Sequence, residues 1–169
     1  MAKAYKPLPH ASELWELFDY KPLTGELVRR VGRGGSPSGT IAGTARRDGY
    51  VCIAVQNRKY LLHRLVWAWV TAGDPGTNEV DHRDRNRGNN RFCNLRLATE
   101  QQNKVNTAAR AHNTLGVKGV EVLPSGKYRV RIVQDGRRVR LGSFPTLEEA
   151  GAAYAKAAVE LHGDFACIQ

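Results

Sequence analysis

Val80-Asp81-His82 and Asn94-Leu95-Arg96-Leu97, separated by the polar run Arg83 to Cys93 and followed by Thr99-Glu100-Gln101-Gln102-Asn103, decide the fold. The intervening run holds four arginines and three asparagines, with no apolar periodicity until its end. Short apolar alternations on either side of such a run predict strand, loop, strand. Thr99 is a good N-cap, and Gln102 three residues later completes a capping box, so a helix follows at once. Asn103 then sits just past the first helical turn.

Working upstream, Leu65, Val66 and Trp69 share one face of a helix predicted from His63 to Ala72, and Gly73 with Pro75 ends it. Tyr50 to Val55 reads as a strand entered from the Asp48-Gly49 turn, and Asn57-Arg58-Lys59 turns into Tyr60-Leu61-Leu62. Arg33 to Gly43 is rich in Gly and Ser and reads as an exposed loop, while Pro22 to Gly25 is a turn before the strand Glu26 to Arg29. The first stretch otherwise mixes turn signals with short apolar alternations.

Working downstream, a linker is expected at 108–112. Val120 to Val122, Tyr128 to Val133 and Val139 to Leu141 follow, parted by Pro124-Ser125-Gly126 and Gln134-Asp135-Gly136. Three short strands with tight turns make an antiparallel meander. Thr146 caps a helix whose apolar stripe is Ala150, Ala153, Tyr154, Ala157 and Leu161, and Gly163 terminates it. Three strands cannot bury a face alone, so this helix is expected to pack across them. The expected class is α+β: residues 1–107 as one module with a β-rich N-terminal extension, and 113–169 as a second.

The charge balance narrows the partners. Among 169 residues, 26 Lys and Arg against 16 Asp and Glu give a formal charge of +10. That surplus favours a polyanion, because neutralising phosphates releases condensed counterions. No stretch approaches a membrane span and the N-terminus has no apolar signal core, so a cytoplasmic protein is expected, in a bacterial or phage-infected cell. Cys52, Cys93 and Cys167 form no C-x-x-C pair, which argues against structural zinc and a disulfide framework.

Asp81, His82, Asn94 and Asn103 carry the chemical signal. Phosphodiester hydrolysis needs an activated water and relief of the charge on the phosphorane and the departing 3′ oxygen. A neutral histidine can take the water's proton near neutral pH. A divalent cation can balance the developing charge, and Asp81 is a hard oxygen ligand suited to Mg²⁺ or Mn²⁺, with the Asn103 amide oxygen a weaker partner. Arg83, Arg85, Arg87 and Arg91, clustered beside these groups, suit backbone phosphates. His63 could brace the site or be purely structural.

With His63-Arg64-Leu65-Val66, Asn89-Asn90-Arg91 and Gln101-Gln102-Asn103 added, the pattern from about Tyr50 to Asn106 resembles the HNH endonucleases, in the ββα-metal branch common among homing enzymes. The resemblance implies His82 as general base, Asp81 as metal ligand, Asn94 as the loop-bracing residue that orients the histidine, and Asn103 at the last, metal-binding position. Many members carry histidine there, so asparagine implies weak ligation and a need for millimolar Mg²⁺.

Gly116-Val117-Lys118-Gly119-Val120, Gly126-Lys127-Tyr128, Arg140 to Phe144 and Glu148 to Tyr154 resemble the plant ethylene-response-factor (APETALA-type) DNA-binding domain, from about Asn113 to Ile168. Independently of that, a side-chain period of two sets Lys127, Arg129 and Arg131 opposite Tyr128, Val130 and Ile132, and Arg138 and Arg140 opposite Val139 and Leu141. One face is apolar and the other basic, as a DNA-binding sheet requires. The resemblance adds Lys118 to the contact positions. Glu121, Leu123, Ser125 and Val133 depart from the plant pattern, so its recognition sequence does not transfer.

These readings converge on a site-directed, Mg²⁺-dependent endonuclease of double-stranded DNA, monomeric or weakly dimeric, nicking one strand per site. Two rivals are a DNA-binding regulator with a catalytically inactive nuclease scaffold and an RNA-directed protein.

Overall fold

The computed structural model describes residues 6–32, 34–107, 113–134 and 136–168. The chain divides into two compact units, Met1–Ala98 and Thr99–Gln169.

The first unit opens with helix α1 (Ala11–Leu17) and the hairpin β1 (Phe18–Lys21) and β2 (Glu26–Arg29), paired in the register Tyr20↔Leu27 and Lys21↔Glu26. Gly25 closes that turn at φ 78°, a left-handed conformation that glycine adopts without a Cβ penalty. β3 (Thr44–Ala45), β4 (Val51–Val55) and β5 (Arg58–Leu61) form an antiparallel sheet. The β4–β5 turn is tighter than the sequence suggests. Gln56 and Asn57 both have positive φ, 47° and 62°, the signature of a two-residue hairpin whose twist matches its strands.

Helix α2 (Leu62–Thr71) starts directly after β5 and ends on Ala72, at φ 53°, one residue before the expected Gly73. β6 (Glu79–His82) and β7 (Leu95–Ala98) complete the unit as an antiparallel pair. Its core gathers Leu14, Leu27, Ile53, Val55, Leu65 and Val66, all fully buried. Burying a side chain of this size is worth about 1.5–3 kcal/mol. Two indoles stitch α1 to α2 and α2 to the hairpin: Trp15 Nε1 donates to the Trp69 carbonyl at 2.8 Å, and Trp69 Nε1 to the Phe18 carbonyl at 3.0 Å.

The second unit contains α3 (Glu100–Val105), β8 (Val120–Val122), β9 (Tyr128–Gln134), β10 (Arg137–Phe144) and α4 (Leu147–His162). The sheet order is β10-β9-β8, antiparallel throughout. Val120, Val130 and Ile132 pack on Ala150, Tyr154 and Ala158 of α4. Ala158 is buried in this cluster, whereas Leu161, predicted for the apolar stripe, is exposed. The β10 register slips between Arg140 and Gly142, a bulge at Leu141.

Thr99 accepts from Gln102 N–H and the Gln102 side chain reaches back to Thr99 N–H, a complete capping box. α3 belongs with the second unit, so the division falls before the helix rather than after it. Lys118 helps tie it there: its ammonium donates to the carbonyls of Val105 at 2.7 Å and Thr107 at 2.6 Å. The segment 108–112, read as a linker, and Asp135 of the second turn lie outside the described residues. No helix among the described residues is long and apolar enough to cross a membrane.

Candidate active site and basic sheet

β6 ends in two consecutive buried side chains, Asp81 and His82. Strand pairing sets Asp81 against Arg96 and His82 against Leu95. Arg96 is itself buried, and its Nε and Nη2 both donate to Asp81 Oδ2 at 2.9 Å. A carboxylate removed from water needs such a partner. The alternation of β7 had placed Arg96 merely between two leucines; the structure makes it the counter-ion of Asp81.

The loop from Arg83 to Asn94 is held by its own side chains. Asp84 accepts from Asn86 N–H at 2.8 Å, from Asn89 Nδ2 at 2.6 Å and from Asn94 Nδ2 at 2.9 Å. Burial works against the Asp84 carboxylate, but these hydrogen bonds outweigh it and hold the group below its ordinary range. Asn94 also donates to the Asn89 carbonyl at 2.9 Å and accepts from Asp84 N–H at 3.1 Å through its side chain. Asn94 thus braces the loop. The residue that touches the histidine is another one: Asn90 Oδ1 lies 3.3 Å from His82 Nε2.

His82 is 4% exposed. Burial pushes its pKa down, against the opposing pull of Asn90, Asp84 and Asp81, so the ring is neutral at pH 7. His63, at the start of α2, stacks edge-on against it with ring centroids 4.8 Å apart. Burial, then repulsion from a protonated His82 and from Arg64, pushes His63 down to about 3. Its Nδ1 is buried without a hydrogen-bond partner. Tyr50 packs on both rings, and the Arg87 guanidinium lies 4.8 Å over Tyr50 while donating to the Asp48 carbonyl. Arg83, Arg85 and Arg91 are exposed on the same loop. Asn103 stands on α3 in the second unit, so the site described here is built from the first unit alone.

No group of three or more His, Cys, Asp or Glu side chains is gathered among the described residues. By donor chemistry, the Asp81 carboxylate suits a hard divalent ion that keeps most of its waters. Asp81 would serve such an ion while also balancing Arg96.

In the second unit, Glu121, Arg129, Arg131, Val133, Arg138, Arg140 and Ser143 share the sheet face opposite α4. Lys127 lies exposed just before β9. Glu121 bridges Arg129 and Arg131, and these guanidinium groups hold its carboxyl below the usual range. Arg138 and Arg140 are exposed. Lys118, expected on DNA, spends hydrogen bonds on the end of α3 instead.

Asn90, Asp84, Arg96 and Tyr50 escaped the sequence reading as site residues. Asn90 stood within the quoted Asn89-Asn90-Arg91 motif, but only its burial and its contact separate it from Asn89.

Comparison with known proteins bears on this geometry. Residues 60–105 match the HNH endonuclease family. An uncharacterized HNH endonuclease of Acanthamoeba polyphaga mimivirus is 37% identical over 109 residues, 64% of this chain and 56% of that protein. The chain thus spans little more than half the length of that relative. Protein 3.8 of Escherichia phage T7 is 31% identical over 105 residues, 62% of this chain and 86% of that protein. A solved structure titled for DNA binding and cleavage by the HNH homing endonuclease I-HmuI aligns at TM-score 0.41 and 21% identity, covering 86% of this chain and 84% of its own. The segment bearing Asp81, His82, Asn90 and Asn94 lies inside the residues that match the HNH endonuclease family.

Proposed function

We propose that the chain is a metal-dependent, site-directed endonuclease of double-stranded DNA, of the homing type. The observation that carries this reading is His82: a buried, uncharged imidazole at a strand end, beside an arginine-rich loop and within the family segment. A neutral imidazole can accept a proton from a water attacking phosphorus, a contribution of about 10²–10⁴ in rate. Arg83, Arg85, Arg87 and Arg91 hold the flanking phosphates, and Asn94 keeps the loop that carries them in shape. Asp81 would hold Mg²⁺ or Mn²⁺, which would supply charge neutralisation at the phosphorane and the leaving 3′ oxygen. Each chain offers one such histidine, so each binding event nicks one strand.

The outer face of the β8–β9–β10 sheet supplies affinity and register. Arg138 and Arg140 make the phosphate or base contacts, joined by Lys127 and by Arg129 and Arg131 once Glu121 shares them with DNA.

The buried Asp81–Arg96 pair supports a second reading, a DNA-binding regulator without catalysis, because it already balances the proposed metal ligand. Plasmid relaxation with and without Mg²⁺, wild type beside His82→Ala, separates the two. Nicked circles that need both the metal and His82 support the endonuclease. Tight, salt-sensitive binding with intact supercoils on DNA bearing the bound site supports the regulator.

A further inference from the structure

Asn90 is 2% exposed, although it lies in a loop of four arginines and three asparagines. Its side chain has a fixed sense. Nδ2 donates to the Gly88 carbonyl at 2.9 Å, so the amide oxygen is the atom left toward His82. An amide oxygen only accepts, so the proton between Asn90 and His82 belongs to Nε2 of the histidine. The other ring nitrogen, Nδ1, then carries the lone pair.

Asn90 is in turn held from outside the matched segment. Tyr20 of β1 donates its hydroxyl to the Asn90 carbonyl at 3.4 Å and accepts from Phe92 N–H at 2.7 Å. Gly25, at the β1–β2 turn, lies so close that a Cβ there would stand 2.5 Å from the Asn90 carbonyl carbon and the Arg91 nitrogen. Real Cβ atoms do not approach backbone this closely, so the hairpin and the Asn90–Arg91 peptide fit only with glycine.

We propose that Asn90 is a positioning residue that locks His82 in the Nε2–H tautomer, and that the β1–β2 hairpin holds Asn90 in place. Nδ1 is then the atom that accepts the water's proton. This rests on the reading of His82 as general base, and the tautomer can be measured whether or not that reading holds. A histidine held in the wrong tautomer keeps its place but loses its base, a defect that costs orders of magnitude elsewhere in hydrolysis.

The test uses the full chain labelled with ¹⁵N-histidine, without metal, and long-range ¹H–¹⁵N spectra to assign the proton on His82. Wild type is expected to show Nε2–H. Asn90→Asp, which keeps an acceptor at that position, is expected to keep it. Asn90→Leu is expected to populate Nδ1–H and to lower the single-turnover nicking rate by about 100-fold, with duplex affinity in EDTA unchanged. Gly25→Ala, which changes no charge, is expected to move both readouts in the same direction.

Nδ1–H in the wild type overturns the proposal, as does an Asn90→Leu protein with wild-type tautomer and rate. Gly25→Ala with both readouts unchanged removes the hairpin's part. A protein that shows Nε2–H, loses it in Asn90→Leu, yet nicks DNA without His82, keeps the positioning bond and discards the catalytic assignment.

Discussion

Asp81 and Arg96 stand opposite one another across β6 and β7, both buried, with two nitrogens of the arginine on one carboxylate oxygen. Removing one member strands a charge in the interior, which costs about 3–5 kcal/mol, whereas an apolar pair of similar size is often neutral. Arg96→Met is therefore expected to lose about 3–5 kcal/mol of stability in urea titration, and Asp81→Leu with Arg96→Met to regain most of it. A pair contributing nothing would show two small, additive losses. His63 makes a second residue-scale statement, in pH. Its unfolded value is 6.5 and its folded value is pushed down to about 3, so the unfolded state binds more protons across that window. Stability consequently rises with pH there. It is full above about pH 6.5, falls as pH drops, with a slope approaching about 1.4 kcal/mol per pH unit, and levels off near pH 3. His63→Phe, which keeps the ring contact with His82, is expected to flatten that slope in urea titrations between pH 7 and pH 4. An unchanged slope would assign the acid loss to other groups.

Helix ends show at the next scale what the residues could announce. α2 stops on Ala72 in the left-handed region, where an alanine pays roughly 1–2 kcal/mol for its Cβ. Ala72→Gly is expected to raise stability by about 1 kcal/mol in urea titration, and no gain would mean that the glycine's extra freedom in the unfolded chain cancels the relief. The capping box of α3, the Thr146 cap of α4 and its Gly163 stop were legible, because caps are written in a few adjacent side chains. The same holds for β6, β7 and the three strands of the second sheet, where alternation is local. α1 was not legible: seven residues give two helical turns, and the His10 imidazole that caps it is an uncommon N-cap. Nor was the bulge at Leu141, which follows from pairing with β9 rather than from β10 itself. Among the candidate residues, Asp81, His82 and Asn94 stand out in the sequence because their spacing is fixed along the chain. Asn90, Arg96 and Tyr50 meet them only through strand pairing and packing, which no spacing encodes.

Over the whole molecule, a charge of +10 makes binding to any duplex strongly salt-dependent, and the slope of log affinity against log salt counts the phosphates neutralised. Basic residues do not contribute alike, because some are already committed within the fold. Arg138 and Arg140 are exposed. Lys118 donates to the carbonyls that end α3. Arg129 and Arg131 share Glu121. Gel-shift titrations in EDTA across a salt series are therefore expected to rank the variants. Arg138→Ala and Arg140→Ala each lower the slope by about 0.9, and Glu121→Gln steepens it as two guanidinium groups lose their internal counter-ion. Lys118→Met leaves the slope where it was and lowers instead the stability of the second unit, since two backbone carbonyls lose their donor. Lys118→Met with a slope lower by about 0.9 and unchanged stability would reverse that assignment, because only an ammonium released to a phosphate counts in the counterion balance.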